Sequence, residues 1–346
     1  MITALLFVIT LVFTLLIWFF LFPVRLLRNP SVSLEILEPP DVYVYSFVLH
    51  IHTQFSHDSL GKPEDIERAL DLCGINFAIV TDHENDLVGR FSSDRILAGR
   101  EVKVREGDLL EFGDLKVIAH PFSEKYTWKG RKDSGYLLEI VDLKDEVLRY
   151  KVKLFLFLLT ALLLYPFLRR RVLKHLVKVL EVEKVALRYL REGWNCPVVG
   201  GLDHHVKVYI TDASKRILIP DYTHSFSLMR NLVMTPCEVK SARDLPKAIK
   251  EGRILVSFSE KAPLVWREGR NIKVYSPYAN TLTVLLSERG VEAEVLGPNS
   301  VLESRGGRYM VVGYTYILKL WNILFGLRPL FLALPAEERD EGKTPS

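Results

Sequence analysis

His50-Ile51-His52-Thr53-Gln54-Phe55-Ser56-His57-Asp58, reached at the end of the aromatic and β-branched run 41–49, is the stretch on which the fold turns. The run reads as a strand, and side chains on a strand alternate, so His50 and His52 project to one side at its end. Two imidazoles that close chelate one ion, yet alone the pair is a weak signal. Four further stretches repeat the arrangement, a short apolar run closing in residues fit to bind metal. They are Thr81-Asp82-His83, Gly99-Arg100-Glu101, Ala119-His120-Pro121 and Gly201-Leu202-Asp203-His204-His205. Nearly every one of the nine histidines sits in or beside such a stretch. Imidazole nitrogen and carboxylate oxygen together suit divalent Zn, Mn or Fe, and ligands this far apart meet only through a fold.

Between the first two stretches the spacing predicts a helix over 62–73. Pro63 suits its first turn, Glu64 and Asp65 its N-terminal dipole, Ile66, Ala69, Leu70 and Cys73 a buried stripe, and Gly74 its cap. Residues 76–80, 115–118 and 197–200 are apolar runs too brief for helices, each delivering a ligand. The recurring unit is strand, ligand, then helix or loop, and the expectation is an α/β barrel whose strand ends open on one face. Continuous apolar runs fit strands buried on both sides.

The chain has 346 residues, enough for two domains and a membrane element, and a net charge of +4. That balance carries no polyanion footprint, and no nucleic-acid partner is expected. Cys73, Cys196 and Cys237 are odd in number and dispersed, which excludes a disulfide framework and a cysteine-ligated zinc site. Residues 2–24 are almost wholly apolar and uncharged, long enough to cross a ~30 Å hydrocarbon core as a helix. The expected layout is a single-pass anchor over 1–28, followed by a polar tether over 29–41. Arg25 and Arg28 behind the span place the bulk of the chain in the cytoplasm by the positive-inside rule. The domain expected to carry the metal ligands spans 42–250. Within it, the apolar run 153–169 is expected as an interfacial helix, basic on both sides and interrupted by Pro166, because a crossing there would part Asp203 and His205 from His50 and His83. A core helix is the competing reading. Residues 254–335, with short β-rich runs between glycine and proline turns, predict a small β-sandwich-like domain. The greasy group Trp321, Ile323, Leu324 and Phe325 is left between core and bilayer. The charged tail 336–346 is expected to be disordered.

Taken in order, these motifs resemble the PHP (polymerase and histidinol phosphatase) family. The opening run 50–58, Gly74, Thr81-Asp82-His83, the Gly-x-Glu at 99–101, the Ala-His-Pro at 119–121 and the Gly-x-Asp-x-His at 201–205 all match, over residues 43–225. The resemblance implies a distorted (β/α)7 barrel and two or three divalent metal ions that hydrolyse phosphoesters. It further implies that His50, His52, Glu101 and Asp203 hold one ion, and that Asp58, His83 and His205 hold a second. Glu101 would bridge to a third position that includes His120, with Asp82 behind orienting a ligand imidazole. His57 and His204 fall at variable positions. The family's histidine between the glutamate and Ala-His-Pro is missing from 102–119, which leaves Glu106, Asp108, Glu111 or Asp114 as substitutes. Lys125 and Arg131, together with Lys129 and Lys132, follow His120 as candidates for substrate phosphate, and His224 is a further candidate.

The expected partners are the lipid bilayer and a phosphorylated small molecule or lipid-linked substrate. Two other readings compete: an amidohydrolase-type enzyme, which also opens with His-x-His, and a non-catalytic, metal-stabilised scaffold at the membrane. There is no nucleophile elbow, Walker loop or kinase motif.

Overall fold

The computed structural model describes residues 2–132, 135–212, 215–304 and 307–335; the tail expected to be disordered lies outside the described residues. The chain opens with α1 (Ile2–Leu21) and the short strands β1 (Val24–Leu26) and β2 (Ser31–Val32). There follow β3 (Tyr43–Ile51), α2 (Pro63–Cys73), β4 (Phe77–His83), β5 (Ile96–Val104), β6 (Gly107–Phe112), β7 (Leu115–Ala119) and β8 (Leu137–Asp142). A helical run comes next: α3 (Leu143–Arg149), α4 (Lys151–Leu168), α5 (Arg170–Leu173) and α6 (Val182–Arg191). Then come β9 (Val198–Gly201), the hairpin β10 (Val208–Asp212) and β11 (Lys215–Ile219), α7 (Tyr222–Leu228), β12 (Arg230–Thr235), α8 (Leu245–Glu251) and β13 (Arg253–Ser257). The remainder is β14 (Leu264–Glu268), β15 (Asn271–Tyr275), β16 (Thr281–Ser287), β17 (Gly290–Leu296) and β18 (Asn299–Glu303). It ends in β19 (Met310–Thr315), β20 (Leu318–Leu320), β21 (Ile323–Phe325) and β22 (Arg328–Ala333).

The architecture is mixed α/β around one 14-stranded sheet, in the order β2-β17-β16-β19-β22-β13-β12-β3-β4-β5-β6-β7-β8-β9. It departs from the repeating parallel unit expected of a (β/α)7 barrel. β3–β4–β5 and β7–β8–β9 are parallel, but β5–β6 and β6–β7 are antiparallel hairpins, and β12 also pairs antiparallel with β3. The cause is chain length: only Arg105 and Glu106 separate β5 from β6, and Gly113 and Asp114 separate β6 from β7. A parallel crossover needs a dozen residues or more. Phe47, Leu49, Phe77, Ile79, Leu110, Val117 and Val199 nevertheless meet in one cluster, so this part of the sheet curls about a common core. Leu245, Ala248 and Ile249 of α8 join the same cluster. Past β9 the chain touches β3 again through Leu202 N–H to Leu49 O at 2.9 Å and His204 N–H to His50 O at 3.2 Å, bonds outside any continuous ladder.

Helix α2 forms as the sequence implies. Pro63 is its first residue, the Asp65 carboxylate accepts from Lys62 N–H at 2.9 Å, and Gly74 ends it at φ 61°. In the C-terminal region a three-stranded sheet, β14-β15-β18, packs on β16, β17, β19 and β22 through Val265, Ile272, Val274, Leu285, Val311 and Phe331. This is sandwich-like, but β22 also pairs with β13, so the large sheet runs unbroken from one region into the other. The segment expected as a tether is tied down in part: Ser31 and Val32 run parallel to Val295 and Leu296 of β17.

The run expected at 153–169 forms α4, and among the described residues it alone is long and apolar enough to cross a membrane. The apolar part of α1, Leu5–Leu21, is shorter. Arg25, read as a cation flanking the span, is instead an internal ion pair with Glu183 and with Glu294, the latter at 2.7 Å.

Candidate metal centre

Glu101, paired in register with His83 on β4, stands where the ends of β3, β4, β7 and the segment after β9 meet. Its Oε2 lies 3.4 Å from His50 Nε2, 3.3 Å from His52 Nε2 and 3.2 Å from His83 Nδ1, and its Oε1 3.5 Å from His120 Nε2. Asp203 Oδ1 adds contacts of 3.8 Å to His50 Nε2 and 3.5 Å to His52 Nε2. Ligand atoms ~2.0–2.2 Å from a tetrahedral ion stand roughly 3.3–3.6 Å from one another, the spacing of Glu101 from His50 and His52, and these three residues offer atoms all within 4.8 Å of one another. His52 Nε2 is buried without a hydrogen-bond partner, a cost that a bound cation removes.

A second group opens toward solvent. His83 Nε2 is 3.6 Å from Asp58 Oδ1, and His205 Nε2 is 3.0 Å from Asp58 Oδ2. His52, His83 and His205 bring ring nitrogens within 4.8 Å of one another. All eight residues read as metal ligands therefore converge. His57 joins Asp58 and His83 at the rim. His204 does not: its Nδ1 meets Ser225 Oγ at 2.6 Å and its ring packs on Tyr222.

The strand ends are bent to achieve this. His50, His120 and Asp203 all adopt left-handed backbone, at φ 63°, 48° and 45°. Such conformations cost about 1–3 kcal/mol each and persist where the surroundings impose them. The β3–β4 register slips at His50, so His50 and His52 face the same carboxylate across a kink rather than along a regular strand.

Behind the rings lies a layer of partners that the motifs did not single out. His50 Nδ1 meets Glu139 Oε1 at 2.6 Å, and His52 Nδ1 meets Ser56 Oγ at 3.1 Å. His120 Nδ1 lies 2.8 Å from Asp142 Oδ2, close in distance though not aligned as a hydrogen bond. With Nδ1 turned outward, Nε2 of each ring points at the cluster, the arrangement that fixes tautomer and aim in metal-binding histidines. Glu139 also accepts from His120 N–H at 2.9 Å, tying two ligand loops together. Gly201 makes room for it, since a Cβ there would fall 1.6 Å from Glu139 Oε1. The stretch Leu137-Leu138-Glu139-Ile140-Val141-Asp142 is itself an apolar run closing in a carboxylate, the same signal as the other five.

Charge follows from this packing. Burial opposes the charged form of His50, but Glu139 and Glu101 push its pKa well above the ordinary value. Burial likewise works against the Glu101 carboxylate, which His50, His120 and His52 hold far below the usual range. Burial pushes His52 down and His205 down to about 4, favouring the neutral, ligating imidazole. Burial and the neighbouring Glu139 raise Asp142 to about 7.

Asp82 accepts from both Thr53 N–H and Thr53 Oγ1 at 2.6 Å, bracing the end of β3, and also meets Ser56, whose Oγ stands 3.1 Å from His52 Nδ1. Of the four acids proposed to replace the missing histidine, Glu111 pairs with Arg100 and Lys116, and Asp114 with Lys250. Glu106 contributes only a carbonyl to Lys129 N–H. Asp108, buried opposite Ala119, is the one beside the cluster. Lys125 meets the Tyr126 hydroxyl at 2.6 Å, and the Tyr126 ring lies 5.3 Å from that of His120, while Lys132 pairs with Glu192 at 3.1 Å; His224 stands outside the His, Asp and Glu groups that could hold a metal. Two further lysines reach the ligand carboxylates: Lys144 pairs with Asp203, and Lys207 lies 3.1 Å from Asp58 Oδ2.

No family model matches this chain, and no curated protein matches it. A solved structure that aligns with it is the crystal structure of a two-domain protein containing a predicted PHP-like metal-dependent phosphoesterase from Bacteroides vulgatus. The alignment covers 89% of this chain and 98% of that one, at 10% sequence identity and a TM-score of 0.37. A likeness of that size settles neither fold family nor activity.

Proposed function

We propose that this chain is a metal-dependent phosphoesterase of PHP type, held at a membrane by α1. The observation that carries the reading is the group His50, His52 and Glu101, whose ligand atoms all lie within 4.8 Å of one another, with Asp203 Oδ1 3.8 and 3.5 Å from the two imidazoles. Asp58, His83 and His205 supply a second donor set beside it, and Glu101 with His120 the start of a third.

Divalent ions held there supply Lewis acidity, lowering the pKa of water from 15.7 toward ~7 and neutralising charge on a phosphoryl group. The chain's own residues do the rest. Glu139, Ser56 and the carboxylate of Asp142 hold three rings with Nε2 inward. His83 and Asp58, about 30% exposed where His50 and His52 are sealed, mark the side on which substrate enters. Lys144 and Lys207 stand beside Asp203 and Asp58, and we assign them to the non-reacting phosphoryl oxygens, contacts for which Lys125 and Arg131 are also candidates.

Membrane attachment rests on α1 and α4. Most of α1 is apolar and exposed, and the hydroxyls of Thr10 and Thr14 donate to Leu6 O and Thr10 O, satisfying themselves inside the helix. α4 lies against α1 with the Phe19 and Phe157 rings stacked at 6.1 Å. We read α1 as the anchor and α4 as an interfacial helix, with the hydrolase on the cytoplasmic side and a phosphorylated lipid-linked or small-molecule substrate.

The test is hydrolysis of an aryl phosphate by purified full-length protein with manganese, against His83→Ala, with metal content measured on both. Bound metal of two or more ions per chain, and activity lost in the variant, are expected. Equal activity in the two proteins sinks the reading.

A further inference from the structure

β1, β21 and β20 form a small antiparallel sheet, with Val24, Phe325 and Leu318 in one cross-strand row and Leu26, Ile323 and Leu320 in the next but one. Directly opposed residues share a face. The row between them, Arg25, Leu324 and Lys319, belongs to the other face. Arg25 is turned to Glu183 and Glu294 and Leu324 is fully buried, so along β1 and β21 that other face packs on the body of the protein, while Lys319 on the edge strand β20 is exposed. On the apolar face Val24, Leu26, Leu318 and Leu320 are exposed and Ile323 and Phe325 half-buried. Leu26 is 68% and Leu320 48% exposed, and no charged side chain stands among them. Trp321, at the turn joining β20 to β21, is 88% exposed with its backbone left-handed. An apolar sheet face of this kind marks a contact surface.

Position says what covers it. Gly326 N–H donates to Leu21 O at 2.7 Å and Leu327 N–H to Pro23 O at 3.1 Å, so the sheet abuts the last turn of α1. Lys178 Nζ donates to Phe19 O at 2.9 Å, fastening that same turn to the body. α4, packed on Phe19, presents a second outward apolar stripe through Val152, Phe155, Leu158 and Leu162. α1 itself has no polar face, whereas docking against one protein partner leaves the far side polar. The sheet face continues an apolar surface that starts on a helix apolar all round.

We infer that the outward face of β1–β21–β20 rests on the boundary between lipid headgroups and acyl chains, with Trp321 in the interfacial aromatic belt. The inference builds on the reading of α1 as an anchor and adds a second lipid contact beside it.

Bromolipid quenching of tryptophan emission tests both together and separates them. Full-length protein is reconstituted in phosphatidylcholine–phosphatidylglycerol vesicles with and without brominated acyl chains, alongside Trp18→Phe, Trp321→Phe and the double variant. Trp128, Trp194 and Trp266 are buried within the protein and provide the unquenched background. Each single replacement is expected to remove part of the quenching, and the double replacement all of it. Leu26→Asp with Leu320→Asp is expected to abolish the Trp321 share while Trp18 remains quenched. Quenching that disappears with Trp18→Phe alone overturns the lipid-resting face and leaves the anchor standing. No quenching in any protein overturns both. A dimer in which Trp321 is shielded from brominated lipid gives the face to a second copy, and overturns it as well.

Discussion

In the metal centre three rings are held by named neighbours: Glu139 for His50, Ser56 for His52, the Asp203 carbonyl at 3.1 Å for His205. Beside α1, the rows Val24–Phe325–Leu318 and Leu26–Ile323–Leu320 have outward side chains with no polar neighbour to fix them. The cluster is specified from within, by hydrogen bonds that aim the rings and by left-handed backbone that the surrounding structure imposes. The apolar face is specified from outside, by whatever solvent it meets. The two regions should therefore break in different ways, one atom by atom and the other only through bulk changes of charge.

The largest effect is expected from Glu101→Gln, which takes the central anion from four imidazoles. Hydrolysis should fall to background and metal content should drop, read by turnover and elemental analysis; retained metal at wild-type content would show that the cluster does not centre on Glu101. Glu139→Gln should weaken metal affinity or activity by about 10–100-fold, the usual cost of losing a partner behind a ligand histidine, measured by chelator competition. Gly201→Ala should do the same through displaced Glu139, with the fold intact by circular dichroism. On the other side of the comparison, Arg25→Ala strands Glu183 and the buried Glu294, and should destabilise by roughly 3 kcal/mol on thermal unfolding in detergent, with metal content unchanged. Smallest of all, Lys125→Ala should leave kcat/KM at the wild-type value, whereas Lys144→Ala should raise KM for an aryl phosphate.

Much of the cluster was legible because its ligands are scarce residue types placed after apolar runs, so His50, His83, Glu101, His120 and His205 stood out one by one. Glu139 did not, because a lone carboxylate inside Leu-Leu-Glu-Ile-Val reads as one flaw in a core strand; only the register of β8 beside β9 puts it behind His50. Arg25 misled for the opposite reason. Following an apolar span, a cation looks like a membrane flank, and nothing local reveals carboxylates 158 and 269 positions away. The strand-rich ends of the C-terminal region were visible from turns and alternation, while the fusion of its sheet with β13 depends on a long-range pairing that no local pattern encodes. The hairpins β5–β6–β7 were not legible because the repeating unit of strand, ligand, then helix or loop presumes parallel strands, and only the two-residue turns at 105–106 and 113–114 make them antiparallel.

The bond from Gly326 to Leu21, with Lys178 on the carbonyls of Phe19 and Phe20, ties the last turn of α1 to the rest of the molecule. With α1 inserted in a bilayer, the mouth at Asp58 and His83 would stand at one set height and one bearing above the lipid. Such an enzyme would not sweep through solution for its substrate. It would meet only those molecules whose phosphate the membrane itself carries to that level.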